Sequence, residues 1–507
     1  MTALMYKRGV VVLLAAGLAG CSLAPDYHRP EAPVRANWPD QPKVSYGGYE
    51  RPTQLGSQPA VAVAPPAGTS AADIGWRSFF QDPCLQALIE LALTNNRDLR
   101  VAVQNVEVAR AQYGVQRGAQ WPAIGAGAQG TRQHLPKNMR AAGPNSSSIS
   151  SQYQAGLGLT SFEIDLFGRL RNLSEAAYQQ YLSTEQAQRS VHITLIGAVA
   201  EAYFNLRAAE VQLDLTRRTL QSRQESYNLV KTRFDGGVSS ELDLNQSRSL
   251  LDSASSNLAQ LARTHAQAAN ALMVLLGVPS LPADLPPAAE FGRDQILATV
   301  PAGLPSDMLE RRPDILAAEN QLRAAKANIG AARAAFFPTI SLTGLLGVAS
   351  PSLDTLFKGG QGYWSFSPQI TTPLFAGGSI IEGLNLAKAR DNIAVAQYEQ
   401  TIQQAFREVA DALAGEATYS AQLDAQRGLQ ASSARSLELS NMRYTGGIDS
   451  YLQVQTAQVD LFDAQLALVQ TGLASLINRV ELYKALGGGW LENTAMPETQ
   501  PRTSQQQ

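Results

Sequence analysis

Histidine and cysteine are the residues best equipped for metal, redox or nucleophilic work, and this chain has four of the first and two of the second. His28, His134, His192 and His265 share no ligand spacing with one another or with Cys21 and Cys84, whereas zinc sites draw on short, regular ligand spacings. The two cysteines make neither a disulfide framework nor a C-x-x-C redox pair. There is no H-E-x-x-H, no G-x-x-x-x-G-K-S/T and no G-x-S-x-G, so metalloprotease, nucleotide-hydrolysing and serine-hydrolase chemistry lack their residues. The seven methionines are scattered and do not cluster for a soft metal. The expectation is a protein that is not an enzyme, holds no cofactor or metal, and depends on a partner for energy. A formal net charge of −2, with 17% charged residues, removes the basic face of a nucleic-acid binder.

One cysteine does stand in a chemical context. Lys7 and Arg8 precede an apolar run from Gly9 to Gly17 that ends in Leu18-Ala19-Gly20-Cys21; the run is too short to span a bilayer and suits an export signal. Small residues before a cysteine resemble the bacterial lipoprotein signal, in which the cysteine becomes the acylated first residue of the mature chain. With Ser22 after it, Cys21 would anchor the protein in the outer membrane, several acyl chains contributing about 0.8 kcal/mol per buried CH₂. The alternative is an ordinary signal peptide with a cysteine nearby by chance. The expected organisation begins with a signal peptide at 1–20 and a lipid-anchored extended segment at 21–75, rich in Pro, Ala, Gly and Gln without apolar periodicity.

Beyond residue 75 the elements come into view. None of the 26 prolines lies between Pro144 and Pro279 or between Pro373 and Pro497, and proline-free spans of that length mark long helices. Apolar residues recur there at steps of three and four, as in Ile193, Ile196, Ala200, Tyr203 and Phe204. The pattern predicts helices over 169–234 and 379–444, each roughly 100 Å long at 1.5 Å per residue. Each is preceded by strict alternation: Ile124 to Gln129, Gln152 to Thr160, Ile340 to Thr343 and Trp364 to Thr371. A half-buried soluble sheet would alternate too, but the lipoprotein-like signal and the polar, turn-rich insertions 136–150 and 351–362 favour transmembrane strands with extracellular loops. Four strands cannot close a barrel, since the smallest bacterial barrels use about eight. The chain must therefore oligomerise, and a trimer would supply about twelve strands.

The chain also repeats itself. Asp98 and Asp314 stand 216 residues apart, as do Pro122 and Pro338; Leu166-Phe167-Gly168 answers to Leu374-Phe375-Ala376-Gly377 at 208; and RFDGGVSSELDL at 233–244 answers to RYTGGIDSYLQV at 443–454 at 210. Each half reads helix, strand, loop, strand, long helix, Gly-Gly turn, returning helix, an internal duplication. The repeats are placed at 76–278 and 305–489, with a linker at 279–304 and a tail at 490–507. Gly236, Gly237, Gly446 and Gly447 would be the tips of two long hairpins, glycine supplying the positive φ that lets a helix reverse.

The stretches LPSDMLERRPDILAAENQLRAAKANIGAARAAFFPTISL at 304–342, TPLFAGG at 372–378 and VELYKALGGGW at 480–490 resemble the outer-membrane efflux lipoproteins of the TolC superfamily, OprM or NodT type, from Cys21 to about Trp490. The resemblance implies an α+β membrane protein: a homotrimer whose 12-stranded transmembrane β-barrel, four strands per chain, continues into a periplasmic α-helical barrel. Its implied partners are a periplasmic adaptor, an inner-membrane resistance-nodulation-division transporter and outer-membrane lipid. The implied role is a passive exit duct. A periplasm-spanning lipoprotein tether or adhesin would also need long helices and an anchor; an adaptor would carry one hairpin and lipoyl-like β domains.

By the same resemblance the hairpin tips close the resting duct, and two aspartates per chain line the constriction. The matching positions here are Gln453 and Thr456, both uncharged. Leu452 is left as an apolar plug, and Asp243 aligns opposite Tyr444, where a hydroxyl–carboxylate bond would be charge-assisted. Asp243 equally suits a solvated first-turn carboxylate at a helix N-terminus. Arg233 and Arg443 are candidates for links between hairpins.

Overall fold

The computed structural model describes residues 22–42, 70–140, 147–292, 295–297 and 300–494, so Cys21 and the signal segment lie outside the described residues. The principal elements are α1 (Pro83–Asn95), α2 (Arg97–Gly118), β1 (Ile124–His134), β2 (Ile149–Ile164), α3 (Arg169–Asp235), α4 (Glu241–Leu276), α5 (Pro313–Ala334), β3 (Thr339–Ser350), β4 (Gly362–Thr371), α6 (Ser379–Thr445) and α7 (Tyr451–Ala485). Helices α3 and α6 are each 67 residues long. Among the described residues no helix is long and apolar enough to cross a membrane. The chain divides into two units, one of 1–31, 105–185 and 317–398, the other of 32–104, 186–316 and 399–507.

The first unit holds one antiparallel sheet in the order β1-β2-β3-β4. Its register lines up like with like: Ala126 pairs with Leu157, Leu157 with Leu346, and Leu346 with Trp364. Because side chains alternate along a strand, this row and its neighbours give one apolar face. The opposite face carries Gln129 beside Gln154, whose amide donates to it at 3.2 Å, and Ser341 beside Gln369. The parity of β2 changes partway. Leu159 and Phe162 bracket a bulge against β3, with Ser161 at φ 45°. The extra residue turns Phe162 and Ile164 back to the face of Leu159, opposite Leu342 and Ile340. At the strand ends Gly168, Gly377 and Gly378 take positive φ where the chain passes into α3 and α6.

In the same unit the N-terminal segment runs extended along the helices. Ser22 Oγ donates to Asn172, Arg333 donates to the Leu23 carbonyl at 3.0 Å, and Gly330 leaves the space that Ala24 occupies. Farther along, Glu319 is only 2% exposed and accepts from Arg29, Arg323 and the Tyr27 hydroxyl. A buried carboxylate is tolerated only when so compensated.

The second unit contains the main core, where Trp76, Phe79, Phe80, Leu85, Ile89, Ile196, Val199, Phe204, Leu272, Val480 and Tyr483 are nearly inaccessible. Phe79 stacks on Tyr483 at 3.9 Å, and the Tyr483 hydroxyl donates to the Ile74 carbonyl at 2.5 Å. A Cβ on Gly488 would fall 2.2 Å from that ring, and Gly487 and Gly489 adopt φ of 82° and 101°; the GGGW run is thus shaped by the tyrosine it surrounds. The linker is paired into this core, Gln81 N donating to Gln295 O and Leu297 N to Phe79 O.

Two joints in this unit correspond at the offsets of 216 and 210 already seen in the sequence. At the end of α4, Asn96 Nδ2 donates to the Leu275 carbonyl, and Gly277 (φ 66°) fits under Asn95. At the end of α7, Arg312 Nη1 donates to the Ala485 carbonyl, and Gly487 fits under Arg311. Arg312 also holds Asp314 and Glu408 at 2.6 and 2.8 Å.

Candidate functional site at the hairpin tips

Both hairpins reverse through the same backbone device. At the first, Gly237 N donates to Phe234 O at 2.9 Å and Val238 N to Arg233 O at 2.8 Å; at the second, Gly447 N donates to Tyr444 O at 3.0 Å and Ile448 N to Arg443 O at 2.9 Å. These are Schellman caps. Only the second glycine of each pair has positive φ, 70° at Gly237 and 72° at Gly447. Gly236 and Gly446 occupy the preceding position, and a Cβ there would meet a helix carbonyl at 3.4 and 3.3 Å. The conformational requirement expected of four glycines thus falls on two.

The chains that leave the turns differ. In the first, Ser240 Oγ accepts from Asp243 N at 3.1 Å while Asp243 Oδ2 accepts from Ser240 N at 3.1 Å and from the Ser239 hydroxyl at 3.0 Å. This capping box starts α4. Partial burial pushes the Asp243 carboxyl up, but the hydrogen bonds from Ser240 and Ser239 and the charge of Arg233 outweigh it and hold the group below its ordinary value. In the second turn the residue at the Asp243 position is Gln453, and Ser450 makes no side-chain cap. The turn is stitched instead by Arg443, which donates to both oxygens of Asp449 at 2.5 and 3.0 Å and lowers its pKa.

Two expected links are therefore not formed. Asp243 is committed to its own helix start, and among the described residues the buried Tyr444 hydroxyl has no hydrogen-bond partner. Arg443 is committed to Asp449 within its own turn, six residues away. Arg233 does cross between hairpins, but to a ring: its guanidinium lies 4.7 Å from the Tyr444 centroid.

What joins the hairpins is mainly apolar. Val230 from α3, Tyr444 from α6, and Tyr451 and Val454 from α7 form a buried cluster with Leu244 and Leu437 against it. Tyr444 meets Tyr451 edge-on at 5.4 Å, and burial, aided by Tyr444, pushes the Tyr451 hydroxyl up to about 12. Farther from the turns, Gln458 donates to Ser226 at 3.0 Å, and Arg223 lies against Phe462. The sequence reading missed Val230, Tyr451, Arg223 and Gln458. Tyr451 sat within the repeated motif, but nothing local distinguishes Arg223 from the solvated arginines near it. Leu452 is 49% exposed, and Gln453 and Thr456 are exposed beside it, Thr456 bonding back to Leu452 O. Among the described residues no group of His, Cys, Asp and Glu could hold a metal ion.

The family model for the outer membrane efflux protein matches residues 88–278 and 304–488. The probable efflux pump outer membrane protein TtgC of Pseudomonas putida is 49% identical over 95% of this chain and 96% of its own length. OprJ of Pseudomonas aeruginosa is 42% identical over 96% of each. The crystal structure of the open state of the Neisseria gonorrhoeae MtrE outer membrane channel superposes with a TM-score of 0.81 at 37% identity, covering 94% of this chain and all of that one. A model match and aligned relatives that both run through the strands, the long helices and the twin tips allow one assignment: the chain belongs to the outer membrane efflux protein family.

Proposed function

We propose that this chain is the exit duct of a tripartite efflux pump, conducting substrates passively from an inner-membrane transporter across the periplasm and the outer membrane. The observation that carries the reading is the sheet: one face bears apolar residues from all four strands, among them Ile124, Leu157, Leu346 and Trp364, with β1 and β4 at its outer edges. In lipid every backbone group must be bonded, so such edges have to meet further copies of the chain, and a transmembrane barrel is the arrangement that leaves none over. The relatives named as efflux pump outer membrane proteins, and the one named as an outer membrane channel, support it.

The finer reading is a homotrimer of about twelve strands, working with a periplasmic adaptor and a resistance-nodulation-division transporter. The two halves descend from a duplication, which the matched Asn96 and Arg312 joints support. Cys21 carries the lipid; Ser22, its neighbour, is bonded to Asn172 in the first turn of the helix that follows β2, which would set the acyl chains near the strand ends. The tips form the periplasmic gate, with Leu452, Gln453 and Thr456 as its uncharged lining and the Tyr444–Tyr451 cluster holding the hairpins together.

Native mass spectrometry of detergent-solubilised protein tests the assembly, with three chains expected. Planar-bilayer recording tests the duct: a trimer without ion conductance under any condition, pump-bound included, would leave a tether as the better description. Palmitate incorporation should vanish in Cys21→Ser, and labelling of that variant would end the lipoprotein assignment.

A further inference from the structure

Arg223 is only 4% exposed within a single chain. It sits on α3 where that helix meets α4 and α7. One of its nitrogens donates to the Leu250 carbonyl of α4 at 3.1 Å, its Nε has no hydrogen-bond partner among the described residues, and its guanidinium lies 5.4 Å from the Phe462 ring on α7. Among the described residues no carboxylate lies within ion-pair distance of it; Asp463 acts only from farther away, and burial lowers the arginine's pKa. A carbonyl and an aromatic face compensate a desolvated cation only in part. The other hairpin carries no cation at the matching position. The matching position in the second half, 210 residues on, is Ser433, which is also buried.

The free energy of this group has a direction. While the hairpins are packed, Arg223 is almost wholly covered beside Phe462; when they part, α7 leaves and the guanidinium gains full access to water. We propose that Arg223 is a built-in opener, a buried cation whose hydration favours separation of the two hairpins and offsets part of the apolar cluster that joins Val230, Tyr444, Tyr451 and Val454. The tip is thereby kept close to balance, so that a partner with modest differential affinity for the parted form can shift it. The inference rests on the tips being the movable end of the duct.

Its test depends on sign. Arg223→Met keeps an unbranched stem against Phe462 and removes the charge; Phe462→Leu keeps the charge buried and removes the aromatic face. In bilayers Arg223→Met should lower the open fraction about tenfold, the effect of roughly 1.4 kcal/mol, while Phe462→Leu should raise it. Spin labels at Asn228 and Asn441 on the two hairpins should report the same order, the longer-distance population shrinking in the first variant and growing in the second. An ordinary latch would give leakage in both variants, and that result overturns the proposal. So does an unchanged open fraction in Arg223→Met, or failure of that variant to assemble, which would make the cation structural. If the parent itself conducts nothing, the duct reading fails, and the label distances still decide the role of Arg223.

Discussion

Replacing Tyr444 by phenylalanine separates the observed tip from the one that a hydroxyl–carboxylate link would build. Such a link would make Tyr444→Phe a loosening substitution. In the structure the hydroxyl is buried and, among the described residues, unpaired, and an unsatisfied buried polar group costs about 1–3 kcal/mol. Phenylalanine keeps the edge contact with Tyr451 at 5.4 Å and leaves a ring beneath Arg233 at 4.7 Å. Allowing for some relaxation around the hydroxyl, the packed tip should gain about 1 kcal/mol, roughly a fivefold shift toward the closed form. Tyr444→Ala removes the ring from a site only 8% exposed and should cost about 3–5 kcal/mol of tip packing. Single-channel recording of the purified protein measures both: the open fraction should fall in the first variant and rise steeply in the second. Should both variants open the duct alike, the hydroxyl has a partner outside the single chain and the reasoning fails.

Three further expectations follow from the same geometry. Gly237→Ala and Gly447→Ala should each cost about 1–2 kcal/mol because their φ values of 70° and 72° oppose a Cβ; Gly236→Ala should be milder, and equal thermal shifts in all three would refute the cap assignment. Gly488→Ala places a Cβ 2.2 Å from the Tyr483 ring and should cost about 3 kcal/mol through forced repacking, read as a lowered melting temperature; an unchanged melting temperature would count against the packing described. Burial raises the Glu319 pKa, but bonds from Arg29 and Tyr27 and the charge of Arg323 bring it below the ordinary value. Its stabilisation of the N-terminal segment is then complete above about pH 4.3 and fades as pH falls through the lower folded value. Proteolysis within 22–42 should therefore accelerate in acid, and Glu319→Gln should remove that dependence.

The long elements were legible because their signals are cumulative. Helices expected over 169–234 and 379–444 end one residue later, at Asp235 and Thr445, since proline exclusion and a glycine cap fix both limits. The bulge in β2 was written in the sequence as apolar residues passing from odd positions, Tyr153 to Leu159, to even ones, Phe162 and Ile164, but a strand read only to Thr160 does not reveal it. Tip partners were not legible. Aligning the halves places Asp243 and Tyr444 at matching heights, yet it says nothing of Ser239 and Ser240, which are nearer in the chain and claim the carboxylate first. Arg223, with Arg217, Arg218, Ser222 and Gln224 around it, reads as a solvated face until packing shows it buried.

The two turns share a backbone and differ in their side chains: a serine–aspartate box in one, an arginine–aspartate pair in the other. Six hairpins in a ring of three copies would look alike in outline while alternating in charge and polarity around the rim. A docking protein that reads only the outline could seat six identical subunits there. One that reads side chains would find two classes of seat, three of each, and would have either to fill one class or to hold two conformations of its own. In such a ring the symmetry of the contact face would be set by the residues after the glycines, and exchanging the pair Ser239 and Asp243 for the aspartate and glutamine of the other turn would change how many partners the rim could accept.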